Sequence, residues 1–234
     1  MVNVFSFCLY GPPNPRYYPV AMIQNINLIG THFPGWKVYI YTGPDVDPEF
    51  LNQIALYSNV VVRPTGLHGD ANMIERFKAI DEPDVGVMFV RDADSRVHWR
   101  DRWAVRDFLS RPQFLVHAIR DKVVHTTELM GGLWGMRKIV GFSITEHHEY
   151  FKKTPVDYNF GVDQTFLTTV IYPRVREFTL AHVGGSAPSY KGETVIRFPF
   201  LHSDSFFCGR TEDLEFRDLP EPPRDIFPFL KTRS

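Results

Sequence analysis

The stretch VGVMFVRDADSRV, residues 85–97, decides the predicted fold, because an apolar run is followed directly by two aspartates one residue apart. Its apolar half predicts a buried strand, since strands covered on both faces read as continuous apolar runs. Side chains alternate along a strand, so an extended motif places Asp92, Asp94 and Arg96 on one face. Arg91 then points to the opposite face, and the strand ends by directing two negative charges at one place.

Two neighbouring carboxylates need a positive partner, because charges about 5 Å apart repel by about 3 kcal/mol at an effective dielectric constant of roughly 20. A divalent cation would offset that repulsion, and so would Arg96. Hard oxygen ligands suit Mg²⁺ or Mn²⁺, and open α/β sheets bind ligands at the carboxyl ends of their strands. The alternative is an ordinary turn in which surface arginines pair with the aspartates. The motif by itself leaves the two interpretations open.

The residues before the motif predict a β-α-β-α-β pattern, which is typical of a parallel sheet with helical crossovers. Apolar residues at i, i+4, i+7 and i+11 form one face of the first helix, and Asp47-Pro48 supplies a cap and a first-turn proline for the second. The predicted fold class is α/β, with a mostly parallel central sheet flanked by helices. The predicted strands are 2–9, 36–41, 59–62, 85–91 and 114–119, and the predicted helices include 22–33, 100–110, 144–152 and 163–171, the last ended by Pro173.

The bulk composition is that of an ordinary globular chain, since 44% of the 234 residues are hydrophobic and 23% are charged. A formal net charge of −1 provides no field suited to nucleic acid or to an anionic membrane. No window is apolar and long enough to span a bilayer. We therefore expect no nucleic-acid partner and no membrane span. We also expect one catalytic domain over residues 1–215, followed by a proline-rich tail or linker at 216–234.

The N-terminus and the cysteines predict a location. The first residues, MVNVFSFCLYG, lack the basic region of a signal peptide and read as a first core strand. Cys8 and Cys208 are the only cysteines and lack CxxC spacing, which argues against a cysteine-bound zinc site and a disulfide scaffold. A reducing, cytoplasmic compartment is the expectation.

Common nucleotide-binding and catalytic motifs are missing from the sequence. It contains no GxxxxGK[ST], no GxGxxG after the first strand, no HExxH and no GxSxG. A P-loop is therefore not expected, and neither is the glycine loop of a dinucleotide-binding dehydrogenase. A phosphate-bearing ligand would instead need a metal ion or arginines.

Several segments together resemble the GT-A glycosyltransferases, whose DxD motif matches FVRDADSRV. More narrowly, they are similar to the GT-A domains of chlorella-virus proteins implicated in capsid glycosylation and of related bacterial polysaccharide enzymes. The resemblance runs from residue 5 to about residue 206 and covers nearly the whole domain. Its other pieces, in chain order, are FSFCLYG, FPGWKVYIYTG, ERFKAID, IRD, GGLWGMR, DQTFL and LHSDSF.

The resemblance implies a metal-dependent enzyme with Mn²⁺ or Mg²⁺ as its cofactor. Asp94 would be the direct metal ligand, while Asp92 would contact the donor ribose or reach the metal through water. The metal would hold the diphosphate of a nucleoside-diphosphate sugar, with a UDP-sugar as the implied donor, because a cation offsets charge on a departing diphosphate. A further ligand is expected late in the chain, with His202 as first candidate, Asp204 as second and His182 as third.

The resemblance also implies a set of donor-binding residues near the strand ends. Two adjacent glycines let the backbone approach a bound sugar closely, and a tryptophan offers an apolar face to the C–H side of the sugar. The alternatives are a turn or bulge with a core tryptophan, and surface ion pairs, Arg76 pairing with Glu75 or Asp81. The implied donor-binding residues are Tyr10, Gly11, Arg76, Asp92, Asp121, Gly131, Gly132, Trp134 and Gln164.

Asp163 is the candidate catalytic residue. An aspartate at the start of a helix is favoured by the helix dipole alone, which requires no function. The resemblance implies an acidic residue here near the anomeric carbon, and an inverting enzyme would use it as a general base. A retaining enzyme would use it to stabilise or attack the oxocarbenium-like transition state, and the resemblance favours retention.

The leading hypothesis is a glycosyltransferase that moves a hexose or deoxyhexose to a glycan acceptor. The resemblance extends this to an acceptor on a viral capsid glycoprotein, in the cytoplasm of a host cell. One alternative is a sugar-nucleotide pyrophosphorylase, but its glycine-rich basic loop is replaced here by GPPNPR, residues 11–16. The other alternative is a non-catalytic carbohydrate-binding domain that keeps the fold.

Overall fold

The computed structural model describes residues 1–155, 157, 159–200 and 206–211. In these ranges eight strands form one sheet with helices on both faces. The strands are β1 (Val2–Leu9), β2 (Lys37–Thr42), β3 (Val60–Pro64), β4 (Val85–Arg91), β5 (Val116–Arg120), β6 (Leu133–Arg137), β7 (Thr179–Val183) and β8 (Thr194–Arg197). The helices are α1 (Val20–His32), α2 (Pro48–Ile54), α3 (Trp99–Leu109), α4 (Ile144–Phe151), α5 (Val162–Phe166) and α6 (Tyr172–Val175), with 3-10 helices at Gly69–Asp81 and Arg176–Phe178 and a π-helical turn at Leu167–Ile171.

The strand order, β3-β2-β1-β4-β6-β5-β7-β8, places the first strand inside the sheet. Strand β6 runs antiparallel to β4 and β5, while the other strand pairs are parallel. The chain builds outward from β1 to β3 and then returns to β4 on the other side of β1. The sheet therefore has a switch point between β1 and β4, where the carboxyl ends of the strands open a crevice suited to ligand binding.

Apolar layers cover both faces of the sheet, which explains why its central strands are almost continuously apolar. Along β1 the side chains alternate, with Phe5 and Phe7 packed in the layer that contains α1, α2 and α3. Val4 and Cys8 pack in the opposite layer, with the 3-10 helix Gly69–Asp81, α4 and α5. The strands that carry the crevice are thus held from both sides.

The predicted α/β fold with a mostly parallel sheet is confirmed, and the five predicted strands lie within two residues of observed ones. The segment GGLWGM, which is not among the predicted strands, contains most of strand β6. Gly135 permits its close pairing with β4, because a Cβ there would lie 2.5 Å from a ring carbon of Phe89 and 2.6 Å from the carbonyl oxygen of Met88. Gly135 is therefore what allows this strand to pair closely with β4.

The prediction that Pro173 ends a helix is wrong, because the helical path continues through it to Val175. The amide of Tyr172 donates to the carbonyl of Leu167, five residues back, so a wider π turn precedes the proline. Pro173 then occupies the first turn of α6, where its missing N–H costs little.

No helix within the described ranges combines the length and the apolar character needed to cross a bilayer. The predicted tail at 216–234 lies outside the described residues, so the domain boundary at residue 215 stays a prediction.

Three histidines, His117, His148 and His182, are fully buried. Burial is the largest cause that lowers the pKa of each, and it lowers the pKa of His148 to about 3. His182 forms hydrogen bonds with His117 (2.7 Å) and with Asp107 (3.0 Å). Neutral imidazole rings can form both of these bonds, so neither ring has to be protonated. All three histidines therefore stay neutral in the folded protein near neutral pH.

We expect acid to destabilise the fold through these histidines. Below the ordinary histidine pKa of 6.5, the unfolded chain binds protons that the folded chain excludes, so the free energy of unfolding falls as pH falls. The Tm measured by calorimetry is expected to drop on the order of 5–10 °C between pH 7 and pH 5. His148→Gln should make this slope shallower, and a flat Tm across the range would contradict the assignment.

Candidate active site at the switch point of the sheet

A cavity of about 560 Å³ opens at the switch point, at the carboxyl ends of β1 and β4. Its size is that of a small-molecule site in an enzyme. Strand β1 contributes its last residues, the turn after β4 contributes two aspartates, and the segment before β6 contributes two glycines. The sequence-predicted residues that line it are Tyr10, Arg76, Asp92, Asp94, Gly131, Gly132, Asp163 and Gln164.

The two aspartates reach the cavity from a turn, because strand β4 ends at Arg91 and the amide of Ser95 donates to the carbonyl of Asp92 (3.3 Å). The prediction that Arg96 shares their face is therefore wrong. Arg96 is buried and donates to backbone carbonyls of the turn and to Gln24 (2.7 Å). It does not neutralise either aspartate, and the charge on the pair has to be offset by other groups.

Arg76, in the 3-10 helix, supplies part of that offset. Its guanidinium donates to Asp92 (Nη1 to Oδ1, 2.5 Å) and to Asp163 (Nη2 to Oδ2, 2.8 Å). The pair with Asp163 is buried on both sides, so water screens it little, whereas the Asp92 side chain is 50% exposed and water screens that pair more. Arg76 thereby links the turn formed by residues 92–95, here called the DxD turn, to the candidate catalytic residue Asp163, which lies 71 positions further along the chain than Asp92.

The surface ion pairs considered as the alternative for Arg76 do not form, because both proposed partners are engaged elsewhere. Glu75 accepts from Lys78 at 2.5 Å. Asp81 accepts from the N-terminal residues of α4, including the amide of Thr145 at 2.7 Å. Arg76 is therefore a cavity residue and not a helix-surface arginine.

Among the described residues, Asp94 has only weak partners for a partly buried carboxylate. Arg16 lies 3.7 Å away and the hydroxyl of Thr211 lies 3.4 Å away. Burial, and then the charge of Asp92, raise the pKa of Asp94. A carboxylate whose charge is this poorly offset, beside a second carboxylate in a cavity, has the donor set that an oxygen-preferring divalent cation requires. The chemistry of the residues present therefore fits Mn²⁺ or Mg²⁺.

The two glycines at the cavity wall leave room for the acids. A Cβ on Gly132 would lie 2.1 Å from Oδ2 of Asp92, and a Cβ on Gly131 would lie 2.6 Å from Oδ2 of Asp163. The sequence predicts that these glycines let a sugar approach the backbone; in the structure, the groups that approach them closely are the carboxylates of Asp92 and Asp163. A side chain at either position would collide with a carboxylate of the site.

Asp163 and Gln164 are adjacent residues in the first turn of α5, which begins at Val162 after the left-handed Gly161 (φ +87°). The Gln164 side chain accepts from the amide of Gly131 (3.1 Å) and donates to the carbonyl of Leu129 (2.6 Å). It thus ties the glycine segment to α5. Asp163 accepts from Arg76 and also from the amide of Gln164 (2.8 Å), so both of its carboxylate oxygens have partners.

Tyr10 and Gly11 directly follow β1, which ends at Leu9. Tyr10 lines the cavity and donates to Asp70 (3.1 Å), and burial is the main cause that raises its pKa. Gly11 has φ +78° and turns the chain away from the sheet, and it is not among the lining residues. A donor contact at Tyr10 is compatible with this geometry, whereas Gly11 serves the turn.

Besides Gly11, two residues implied as donor contacts, Trp134 and Asp121, do not line the cavity. Trp134 is fully buried in β6, where its ring meets Phe77 edge-on at 5.3 Å, so it presents no face to a sugar. Asp121 is fully buried and forms a two-point ion pair with Arg100 (2.5 and 2.8 Å). It also accepts from the amide of Cys208 (2.9 Å). Both predictions are therefore wrong: Trp134 and Asp121 are core residues. The ion pair of Asp121 is also buried, whereas the alternative interpretation places it at the surface.

The candidate late metal ligands divide into two cases. His182 is buried in β7 with His117 and Asp107 as partners, so it does not reach the cavity and the prediction fails for it. His202 and Asp204 lie outside the described residues. Their role as ligands stays a prediction.

A second group of possible metal ligands, His98, Asp101 and Cys208, is fully buried. Asp101 already pairs with Arg91 (2.9 Å) and accepts from the amide of His98 (3.3 Å). Burial raises the pKa of the Cys208 thiol well above its ordinary value, which favours the neutral thiol. This group fits a core hydrogen-bond network better than a cation site.

Sequence reasoning missed Asn25, a fully buried residue of α1 that contacts the DxD turn. Its only signal is a lone polar residue among the apolar positions of an amphipathic helix. It also missed the apolar part of the cavity wall, which includes Met73, Met130 and the highly exposed Phe160. No residue pattern marks these positions as neighbours.

Comparison with known proteins adds the fold. No family model matches the chain, and neither does any curated protein. The chain is similar to the crystal structure of a glycosyltransferase involved in the glycosylation of the major capsid of PBCV-1, with a TM-score of 0.52 and 13% identity over 78% of this chain and 82% of that one. It is also similar to 4-diphosphocytidyl-2C-methyl-D-erythritol synthase from Anaerococcus prevotii, with a TM-score of 0.52 and 9% identity over 84% and 86% of the two chains. S. aureus TarS in complex with UDP matches more weakly, with a TM-score of 0.41 and 15% identity over 52% of this chain and 36% of that one.

The sheet order, the switch-point cavity and the first two of these likenesses define the class: this is a protein of the nucleotide-diphospho-sugar transferase fold, as the GT-A resemblance predicts. Identities of 9% and 13% establish the fold alone. The reaction has to be argued from the residues of the cavity.

Proposed function

We propose that the chain is a metal-dependent glycosyltransferase that moves a hexose or deoxyhexose from a nucleoside-diphosphate sugar, in the first instance a UDP-sugar, to a glycan acceptor. One observation carries the proposal. Asp92, Asp94, Asp163 and Arg76 converge in a single cavity at the switch point of a nucleotide-sugar-type sheet. Three acids with one buried arginine leave a negative site that a cation with a diphosphate completes.

Asp94 and Asp92 are the residues proposed to hold Mn²⁺ or Mg²⁺, with His202 as a third ligand. When bound, such an ion acts as a Lewis acid that offsets the charge of a leaving diphosphate. Asp94 is the stronger candidate because its described contacts are longer than those of Asp92, which already accepts a 2.5 Å hydrogen bond from Arg76. The carboxylate of Asp94 is thus available to bind the cation, while that of Asp92 is oriented by Arg76.

Arg76 is proposed to bind donor phosphate oxygens. Its Nε is buried without a hydrogen-bond partner in the described part of the chain, although both terminal nitrogens are engaged. A guanidinium presents a planar set of donors that matches phosphate geometry. Arg76 lines the cavity, so a phosphate oxygen of the sugar nucleotide can accept a hydrogen bond from its guanidinium.

Asp163 is proposed to act on the sugar carbon. Both carboxylate oxygens already accept hydrogen bonds, from Arg76 and from the amide of Gln164. A carboxylate fixed in this way is better suited to stabilise developing positive charge than to accept a proton. This favours the retaining course, in which Asp163 stabilises or attacks the oxocarbenium-like centre, over a general-base role.

A sugar-nucleotide pyrophosphorylase is the second candidate, and the likeness to a diphosphocytidyl-compound synthase favours it at the level of fold. Against it, the loop after β1 contains one glycine, three prolines and one arginine, Arg16. That arginine lies 3.7 Å from Asp94. The loop therefore offers few groups to cradle a triphosphate.

A thermal-shift screen of nucleotide sugars with Mn²⁺ tests the proposal. The true donor at about 100 times its Kd should raise Tm by about 5–10 °C, because a ligand that binds only the folded state adds its binding free energy to stability. EDTA should remove the shift. A non-catalytic carbohydrate-binding domain would give no shift with UDP and Mn²⁺, and a pyrophosphorylase would release pyrophosphate from a nucleoside triphosphate and a sugar 1-phosphate. Either result would overturn the glycosyltransferase assignment.

A further inference from the structure

Asn25 is a polar residue in an apolar setting. It lies in α1 between Met22 and Ile26, on the face that packs against the sheet, and its side chain is fully buried. Burying an amide without hydrogen bonds destabilises a fold, so a buried asparagine is retained where its partners need it. The described partners of Asn25 are the backbones of Ala93, Ser95 and Val97, in and just after the DxD turn.

The Asn25 amide grips the backbone around Asp94. Its Nδ2 donates to the carbonyls of Ala93 (3.3 Å) and Ser95 (2.8 Å), the residues immediately before and after Asp94. Its Oδ1 accepts from the amide of Val97 (3.1 Å). Three contacts therefore fix a turn that lies about seventy residues away in sequence.

Arg96 also donates hydrogen bonds to the same two carbonyls. Its Nη1 donates to Ala93 (3.2 Å) and to Ser95 (3.3 Å), while its Nε donates to Gln24, the neighbour of Asn25 in α1. Both flanks of Asp94 are thus tied to one helix by two buried side chains. Neither side chain lines the cavity, so the grip acts through the backbone.

We propose that Asn25, with Arg96, is a positioning residue that holds Asp94 beside Asp92 in the geometry a divalent cation needs. This inference rests on the proposed function. The two carboxylates repel each other, and a turn free to relax would separate them. Clamping the carbonyls on both sides of residue 94 keeps the pair together before any cation arrives, so the site is preorganised and the clamp contributes to metal affinity.

The test compares Asn25→Leu with Asn27→Leu in the full chain. Leucine is close to asparagine in size but cannot form the hydrogen bonds, and Asn27 is an exposed residue of the same helix that serves as the matched control. Mn²⁺ affinity is measured from the electron paramagnetic resonance signal of the free ion, below the Tm of each variant. We expect Asn25→Leu to bind Mn²⁺ about 10–100-fold more weakly and Asn27→Leu to bind it as the unchanged chain does.

A merely structural role would lower Tm and the folded fraction but leave the Mn²⁺ Kd of the folded molecules unchanged, and that outcome overturns the inference. Should Asn25→Leu fail to fold, Arg96→Lys keeps the charge but removes the planar fork, and unchanged Mn²⁺ affinity in that variant would overturn the inference equally. Failure of the proposed function looks different, because the unchanged chain would then bind no Mn²⁺ in the cavity.

Discussion

Asp94→Asn is expected to lower metal-dependent donor hydrolysis and transfer by at least about 100-fold while leaving the fold intact. The substitution preserves the size of the side chain and removes only its charge. The described contacts of Asp94 are a distant arginine and a weakly bound hydroxyl, and neither supplies an anionic ligand in its place. The loss should appear in transfer rate and in Mn²⁺ affinity together.

Stability should move in the opposite direction to activity in this variant. Burial and the Asp92 charge raise the pKa of Asp94 above that of an unfolded chain, so ionised Asp94 destabilises the folded state at neutral pH. Asparagine relieves that cost, and the Tm should hold or rise. If Asp94→Asn is inactive and at least as stable as the unchanged chain, the negative charge of Asp94 serves function and not stability.

Asp84→Asn is the matched control, since Asp84 is exposed and lies just before the opposite end of β4. It should leave transfer and Mn²⁺ affinity unchanged. Full activity of Asp94→Asn, or full activity of the unchanged chain in EDTA, would refute the metal-dependent mechanism.

The strand that ends at Arg91 and the aspartates after it are predictable from sequence, because an apolar run and its terminating turn are local patterns. The parallel sheet follows from the alternation of such strands with helices. The same reasoning places Asp92 and Asp94 at the carboxyl edge, where they are found. The same reasoning does not predict that the chain turns after Asp92, which places Arg96 on a different face from the two aspartates. That turn is closed by the hydrogen bond from the Ser95 amide to the Asp92 carbonyl, which no local pattern predicts.

The partners of the site residues are not predictable in the same way. Arg76 meets Asp92 and Asp163 across 16 and 87 residues of chain, and no spacing rule connects them. Asp121 and Trp134 follow or occupy strands much as the true lining residues do, yet both are fully buried. Whether a residue near a strand end faces the crevice or the core depends on which helix covers it, and that is a tertiary property.

Arg76 and Asn25 show how the site is assembled from opposite faces of the sheet. Arg76 comes from the 3-10 helix that packs with Phe77 on one apolar layer, and Asn25 comes from the helix on the other. One contacts the carboxylates and the other contacts the backbone that carries them. The DxD turn is therefore held between two layers, and changes to either helix are expected to reach the cavity.

Gly132→Ala is expected to lower transfer by about 100-fold through the position of Asp92. The new Cβ would lie 2.1 Å from Oδ2 and 2.3 Å from Cγ of Asp92, far inside contact distance. The backbone of β6 begins at the next residue and is held by its pairing with β4, so the aspartate side chain has to rotate away. Rotation breaks its 2.5 Å hydrogen bond to Arg76 and removes its carboxylate from the cation site.

The measurement that separates causes is Mn²⁺ affinity alongside the KM for the donor. If Gly132 serves mainly to let a sugar approach, alanine raises the donor KM and leaves Mn²⁺ binding unchanged. If it makes room for Asp92, both worsen, and this is the result expected. Gly30→Ala is the control, because a Cβ added to Gly30 in α1 would meet no atom within 4 Å, and alanine there should stabilise the helix by up to about 1 kcal/mol. Unchanged Mn²⁺ affinity in Gly132→Ala would remove Asp92 from the cation site and leave Asp94 to hold the ion without it.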